Sequence, residues 1–366
     1  MGLLFVSLNV DFAQSPIEKQ SARPYGIHTV LRGIAVGGIA VSDAGDVYVT
    51  DTFRSRIHRI DKSGNATVVA GVGTSEIYLY AHFKGPIPRH FSGDGGAALE
   101  AHFDGPHGIV VDSKGNIYVA DSWSNRIRRV SVDGIVQTIA GTAQGGFYGD
   151  GGPATRARFS IPMGLAMDAE GNLFVGDSGN NRVRRINADG IVTTVAGTGK
   201  RGSSGDGKIA TKAKLAAPHG VSIDTGGNLY IADFGNDRVR KVDKAGVIHT
   251  IAGGLNYALN GIGELVSPSQ LLLPADTAVV NDGVVSIGDT VGALRILPGG
   301  SIQLIAGNGK PGSVVAESER RNRQPRVGEG DLATTISVSS NSLAVTPDGR
   351  IYLSDAAGLR VLTPVQ

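Results

Sequence analysis

The chain of 366 residues has no cysteine, which excludes disulfides and thiolate metal centres and leaves the redox compartment open. Aromatic residues make up only 5%, a composition unlike that of a helical enzyme built around one large core. Neither sign of charge is in excess. The 35 basic residues stand against 33 acidic ones, a net +2, so nothing demands a polyanionic partner. No apolar run approaches the roughly 18 residues of a membrane-spanning helix. A shorter run, Leu3 to Val10, precedes Asp11-Phe-Ala-Gln14. It reads either as the tail of a secretory signal or as a segment lying against the domain; a basic n-region and a small-x-small cleavage site are both missing. Also lacking are a nucleophile elbow, a phosphate-binding glycine loop and a metalloprotease helix.

What the chain has is glycine, 54 residues of it, about twice the usual share of roughly 7%, and a repeat. Gly115-Asn-Ile-Tyr-Val-Ala-Asp121 returns as Gly45 to Asp51, Gly171 to Asp177 and Gly227 to Asp233, with looser copies at Gly283 to Asp289 and Gly349 to Asp355. The closing aspartates stand 70, 56, 56, 56 and 66 residues apart, and a period of this kind marks a repeat architecture. Each unit reads as four β-branched strands. In the second they are Gly108 to Asp112, Asn116 to Ala120, Arg126 to Val130 and Val136 to Ala140, with glycine turns at Gly115 and Gly134. The last unit has no room for a fourth strand, whereas Gly26-Ile-His-Thr-Val-Leu-Arg-Gly33 copies Gly246-Val-Ile-His-Thr-Ile-Ala-Gly253. Pairing that N-terminal strand with the last unit removes an open sheet edge. The expectation is an all-β, six-bladed β-propeller spanning 26–366, with blades at 38–71, 103–141, 159–197, 215–253, 271–307 and 342–366 plus 26–33, and residues 1–25 outside it. Two insertions interrupt the rhythm. Val72 to Arg89 is apolar and expected over a blade or pocket mouth; Lys310 to Gly328 is charged and expected as a surface loop.

The run Pro106-His-Gly-Ile-Val-Val-Asp112, then Gly115 to Asp121, then Asn125-Arg-Ile-Arg-Arg-Val130 resembles the NHL repeat family. The resemblance implies a six-bladed propeller used as a binding platform, whether an extracellular sensor domain or an RNA- or protein-binding module. The related peptidyl-hydroxyglycine amidating lyase, which holds zinc with histidines from several blades, implies that metal-dependent chemistry can sit on the same scaffold.

Alternating strand direction puts the long connectors and the second-to-third-strand loops on one face, the likelier binding face. The residue 14 before each closing aspartate sets its central ring: Gly37, His107, Met163, His219, Ala275 and Asn341. His107, His219 and Asn341 fall at three-fold positions. The two imidazoles could contact a ligand or hold one divalent metal, zinc or calcium. In the lyase pattern a third histidine would stand where Asn341 does, which weighs against zinc catalysis. The loops add Phe53, Arg54, Trp123, Asn180, Phe234 and Asn236; the rings suit stacking on a sugar, a base or a proline, or else fill gaps between blades.

The repeated aspartates read as structural, accepting backbone N–H bonds. The Gly-Asp-Gly connectors at Asp94, Asp150 and Asp206 read as Asx-turns before a short helical turn and not as calcium loops, which need more oxygens. The arginines of the third strands read as partly exposed towards the rim and pairing with acidic neighbours between blades, since RNA binding predicts a larger charge excess.

The function expected is an extracytoplasmic binding module, secreted or periplasmic and monomeric, for a small polar ligand, glycan or peptide at the funnel. A metal-dependent lyase or hydrolase using His107 and His219 is the alternative, and an RNA- or protein-binding platform the second.

Overall fold

The structure, a computed structural model, describes residues 25–73, 91–254, 271, 273–279, 284–290, 292–297, 302–307, 333, 340–346, 348–355 and 358–364. The apolar run at 3–10, the insertion at 310–328 and nearly all of that at 72–89 lie outside them.

Six antiparallel sheets form the six blades of a propeller. Blade 2 is typical: Pro106–Val111 innermost, then Ile117–Asp121, Arg126–Val130 and Val136–Gly141 outermost. The N-terminal strand Tyr25–Arg32 is the outer strand of blade 6, in the order that the repeat predicts. It pairs Ile27 with Leu362, His28 with Val361 and Leu31 with Leu359. The ring is therefore closed by the two ends of the domain.

Strands alternate their side chains, so each blade has two apolar faces and the cores lie between blades. Val119, Ile117 and Val130 of blade 2 meet Ile57 and Ala70 of blade 1. At the closing seam, Ile27 joins Leu343, Leu353 and Leu362 of blade 6 against Ala293 and Ile305 of blade 5. Each connector adds one buried residue in the same place, Phe103, Phe159 or Leu215. Where neighbouring innermost strands meet, one position on each of blades 1 to 4 has no room for a side chain. A side chain on Gly108 or Gly164 would collide with the main chain of the next blade, at Met163 and His219 respectively. Glycine therefore lets the innermost strands approach backbone to backbone.

Of the third-strand arginines of blades 2 to 4, Arg126, Arg129, Arg182, Arg185 and Arg238 are partly exposed, as expected. Three others correct that expectation while keeping the expected acidic partners. Arg128, Arg184 and Arg240 have no solvent exposure. Each guanidinium reaches the aspartate of a Gly-Asp-Gly connector: Arg128 to Asp94 at 2.9 Å, Arg184 to Asp150 at 2.7 Å and Arg240 to Asp206 at 2.6 Å. Arg128 also donates to the carbonyls of Ser92 and His102, and Arg184 to those of Tyr148 and Arg158. A planar, permanently charged fork with several donors suits such a site, where a buried cation has to be paired and hydrogen-bonded. The connectors end in the short helical turns expected, Ala98–Glu100, Ala154–Arg156 and Ala210–Lys212. Ala98 accepts from Gly71 of blade 1 and donates to Gly134 of blade 2, so one connector ties two blades.

Because Ile27 is fully buried at the closing seam, Ile27→Ala is expected to lower the unfolding free energy by about 2 to 5 kcal/mol. Equilibrium denaturation in urea measures this, and an unchanged midpoint would show that the strand does not close the ring.

Candidate functional site

The innermost strands enclose a channel of about 970 Å³ along the propeller axis. Its loop-side end is lined by Gly37, His107, Met163, His219, Ala275 and Asn341, one from each blade. The innermost strands of blades 1 to 5 start next to this position and that of blade 6 two residues after it, which brings the ring to the opening. His107 is held by a hydrogen bond with the backbone of Gly37. The carbonyls flanking it are also engaged: Pro106 accepts from Thr52 at 2.8 Å, and that of His107 itself from Thr50 at 2.7 Å. The ring of His219 is stacked on that of Phe234, with centroids 4.0 Å apart and planes 9° from parallel.

Desolvation pushes His107 down to about 4. It does the same to His219, helped by the charge His107 would carry. Both imidazoles are neutral at physiological pH, able to donate from one nitrogen and accept at the other. Among the described residues no group of three or more His, Asp or Glu side chains gathers as a metal site. Two imidazoles alone fall short of the three protein ligands that catalytic zinc carries.

Phe53, Arg54, Trp123 and Phe234 also line the channel mouth. Phe53 is 42% exposed. Trp123 lies against Gly105, where a side chain would collide with the indole. Asn180 and Asn236 stand elsewhere. The loops after the second strands are single helical turns, Ser122–Ser124, Ser178–Asn180 and Phe234–Asn236. They turn the third loop residue back onto the closing aspartate. Asn180 donates to Asp177 at 2.8 Å and to the Gly146 carbonyl; Asn236 donates to Asp233 at 2.7 Å and to the Gly202 carbonyl. Ser124 does the same at Asp121, and Arg54 at Asp51. This position is a cap on the carboxylate, and both asparagine amides are committed to the loop.

Blades 5 and 6 contribute side chains that the ring pattern does not point to. One residue beyond the ring position, blades 1 to 4 carry Gly38, Gly108, Gly164 and Gly220, whereas blades 5 and 6 carry Asp276 and Ser342. Asp276 accepts from the Ser342 hydroxyl at 3.0 Å and from the Leu343 N–H at 3.1 Å, bridging the two blades across the channel wall. Burial raises its carboxyl to about 6. Thr290, Ser354 and Asp355 extend this polar wall. The signal was present in the sequence as a break in the glycine column.

The shifted groups act in opposite directions. A histidine whose folded pKa is lowered takes up its proton in the unfolded chain first, so His107 and His219 destabilise the fold as pH falls from about 6.5 towards 4. Asp276, raised to about 6, favours the fold at low pH and loses that contribution as pH rises through 6. In proton NMR the ring signals of His107 and His219 are expected to stay in the neutral form down to about pH 4. Midpoints near the ordinary histidine value of about 6.5 would place both rings in bulk water.

The Teneurin NHL domain model matches residues 65–146, 143–204 and 198–262 of the chain. Teneurin-1 of Homo sapiens is 28% identical over 283 residues, covering 68% of this chain and 10% of that protein. Teneurin-3 of Danio rerio is 30% identical over 286 residues, covering 69% and 10%. The chain thus spans about a tenth of the length of these curated relatives. Among solved structures, a gluconolactonase of Xanthomonas campestris superposes with a TM-score of 0.56 at 13% identity, covering 93% of this chain and 95% of that one. A streptogramin B lyase gives 0.52 at 13% identity, covering 93% and 98%. At such identities these two show a shared fold and nothing more.

Proposed function

Given that the chain belongs to the Teneurin NHL domain family, we propose that it is an extracytoplasmic, non-catalytic binding module for a small polar ligand, glycan or peptide held at the loop-side mouth of its channel. One observation carries this reading. Framework positions recur: the closing aspartates in all six blades, the buried arginines in blades 2, 3, 4 and 6, and the axial glycines in blades 1 to 4. The channel ring does not: Gly37, His107, Met163, His219, Ala275 and Asn341 are six positions with five residue types. A scaffold that repeats most of its supports while varying the ring at the mouth of a shared cavity is specialised at that mouth.

The chemistry available is recognition. Two neutral imidazoles, the Asn341 amide and the hydroxyls of the blade 5–6 wall offer paired donors and acceptors. Phe53 and Trp123 offer flat apolar faces at the mouth. The metal-dependent alternative needs ligands beyond His107 and His219, and no step is assigned to it. Nucleic-acid binding is weakened because three of the eight third-strand arginines of blades 2 to 4, Arg128, Arg184 and Arg240, are buried and paired. Among the described residues no helix is long and apolar enough to cross a membrane.

Trp123, the only tryptophan, is the natural reporter. Titration with a panel of oligosaccharides and short peptides is expected to change its fluorescence, and His107→Ala and Asn341→Ala each to weaken the response about tenfold, the loss of one or two hydrogen bonds. Affinities unchanged in both variants would reject the site. Metal analysis of the purified protein separates the alternative: a stoichiometric metal lost from both His107→Ala and His219→Ala would replace the binding module by a metal enzyme.

A further inference from the structure

The channel differs at its two ends. Four residues further along each innermost strand, away from the loop side, the column reads Val41, Val111, Met167, Ile223, Val279 and Val345. All six are apolar and all six line the channel. They are half-buried, unlike the fully enclosed Val49, Val119 and Val175 of the adjoining strands. Each also borders one of the inter-blade cores, which holds it in place. Four residues of strand are about 13 Å, so a polar ring and an apolar ring face one another across a single lumen.

We infer that the channel binds an amphipathic molecule, with a neutral polar head at the His107, His219 and Asn341 end and an unbranched apolar chain in the lower half. The inference rests on the reading of the channel as a ligand site and adds the ligand's class. Two features favour this occupant. Large apolar side chains left against a narrow lumen gain by being covered, and only apolar matter can cover them without losing hydrogen bonds. The two rings of residues are stacked along one axis, so a molecule that reaches both has to extend along the lumen, as an unbranched chain does. The head is neutral because both imidazoles are uncharged near pH 7 and the Asp276 oxygens already accept three hydrogen bonds, from Thr277, Ser342 and Leu343.

The chain and the head are tested separately. 1-Octanol, a chain with the smallest polar head, is titrated by calorimetry alongside n-octyl-β-glucoside below its micelle concentration and methyl-β-glucoside. Octanol and octyl glucoside are expected to bind, octyl glucoside at least tenfold more tightly than methyl glucoside. The double variant Met167→Phe/Ile223→Phe fills the lower lumen with apolar volume and is expected to abolish octanol binding and the octyl advantage. Ile223→Asn makes the same site polar and is expected to weaken octanol at least tenfold; thermal melts confirm that either variant is folded. Octanol that fails to bind the parent protein, or binds a folded filled variant equally well, overturns the inference. The broader reading fails on different grounds, when the response of the polar panel ignores His107→Ala and Asn341→Ala.

Discussion

A carboxylate shut away from water stands at the end of the second strand of each of blades 1 to 5, and the loop-side architecture is arranged to satisfy it. Asp51, Asp121, Asp177, Asp233 and Asp289 have no solvent exposure. Such a group is tolerated only when its oxygens are filled. In blades 2 to 4 one oxygen accepts an N–H from the incoming connector, at Asp104, Ser160 or Ala216. The other accepts a side chain from the following loop, at Ser124, Asn180 or Asn236. The buried arginine of the third strand lies beside it, 3.7 Å from Asp177 and 3.4 Å from Asp233. Desolvation still dominates, raising Asp121 to about 7 and Asp177 to about 6. The carboxylate therefore draws connector, loop and strand together at one point, and this positions the start of each innermost strand at the channel mouth.

The same arginine carries the constraint outward. Its guanidinium lies between the closing aspartate and the connector aspartate, and the connector is bonded to two successive blades. Axial glycines do the complementary work inside, where any side chain would hold the blades apart. Blades 5 and 6 relax this rule. Asp276 in place of glycine reaches into blade 6 through hydrogen bonds instead of close backbone contact. The result is a channel with one wall of carboxyl and hydroxyl groups. Stability and recognition are thus divided by position: recurring residues between and above the blades, varied residues at the loop-side mouth of the lumen.

Much of this was legible in the repeat. The six closing aspartates defined six units, and the likeness of Gly26 to Gly33 to Gly246 to Gly253 placed the N-terminal strand in the last blade. The ring of His107, His219 and Asn341 followed from counting back along each repeat. Counting fails where a loop curls. Asn180 and Asn236 stand in the loops of blades 3 and 4 that correspond to those of Phe53 and Trp123, yet a single helical turn aims them at a carboxylate instead of the mouth. It failed also for the third-strand arginines. Adjacent arginines look exposed in a list of residues, but strand alternation sends Arg128 inward and leaves Arg129 partly exposed.

By itself the sequence determined the architecture, because a period of turns, β-branched strands and closing aspartates admits one way of burying two-faced sheets: stacking them in a ring. It determined too which column would face the axis, since strand geometry is regular from blade to blade. Tertiary structure alone decided which polar groups are partnered and which are open to a ligand. A hydrogen-bond partner 34 residues away, such as Asp150 for Arg184, has no local signature. Nor does the meeting of six separate strands to make one lumen that is polar at one end and apolar at the other.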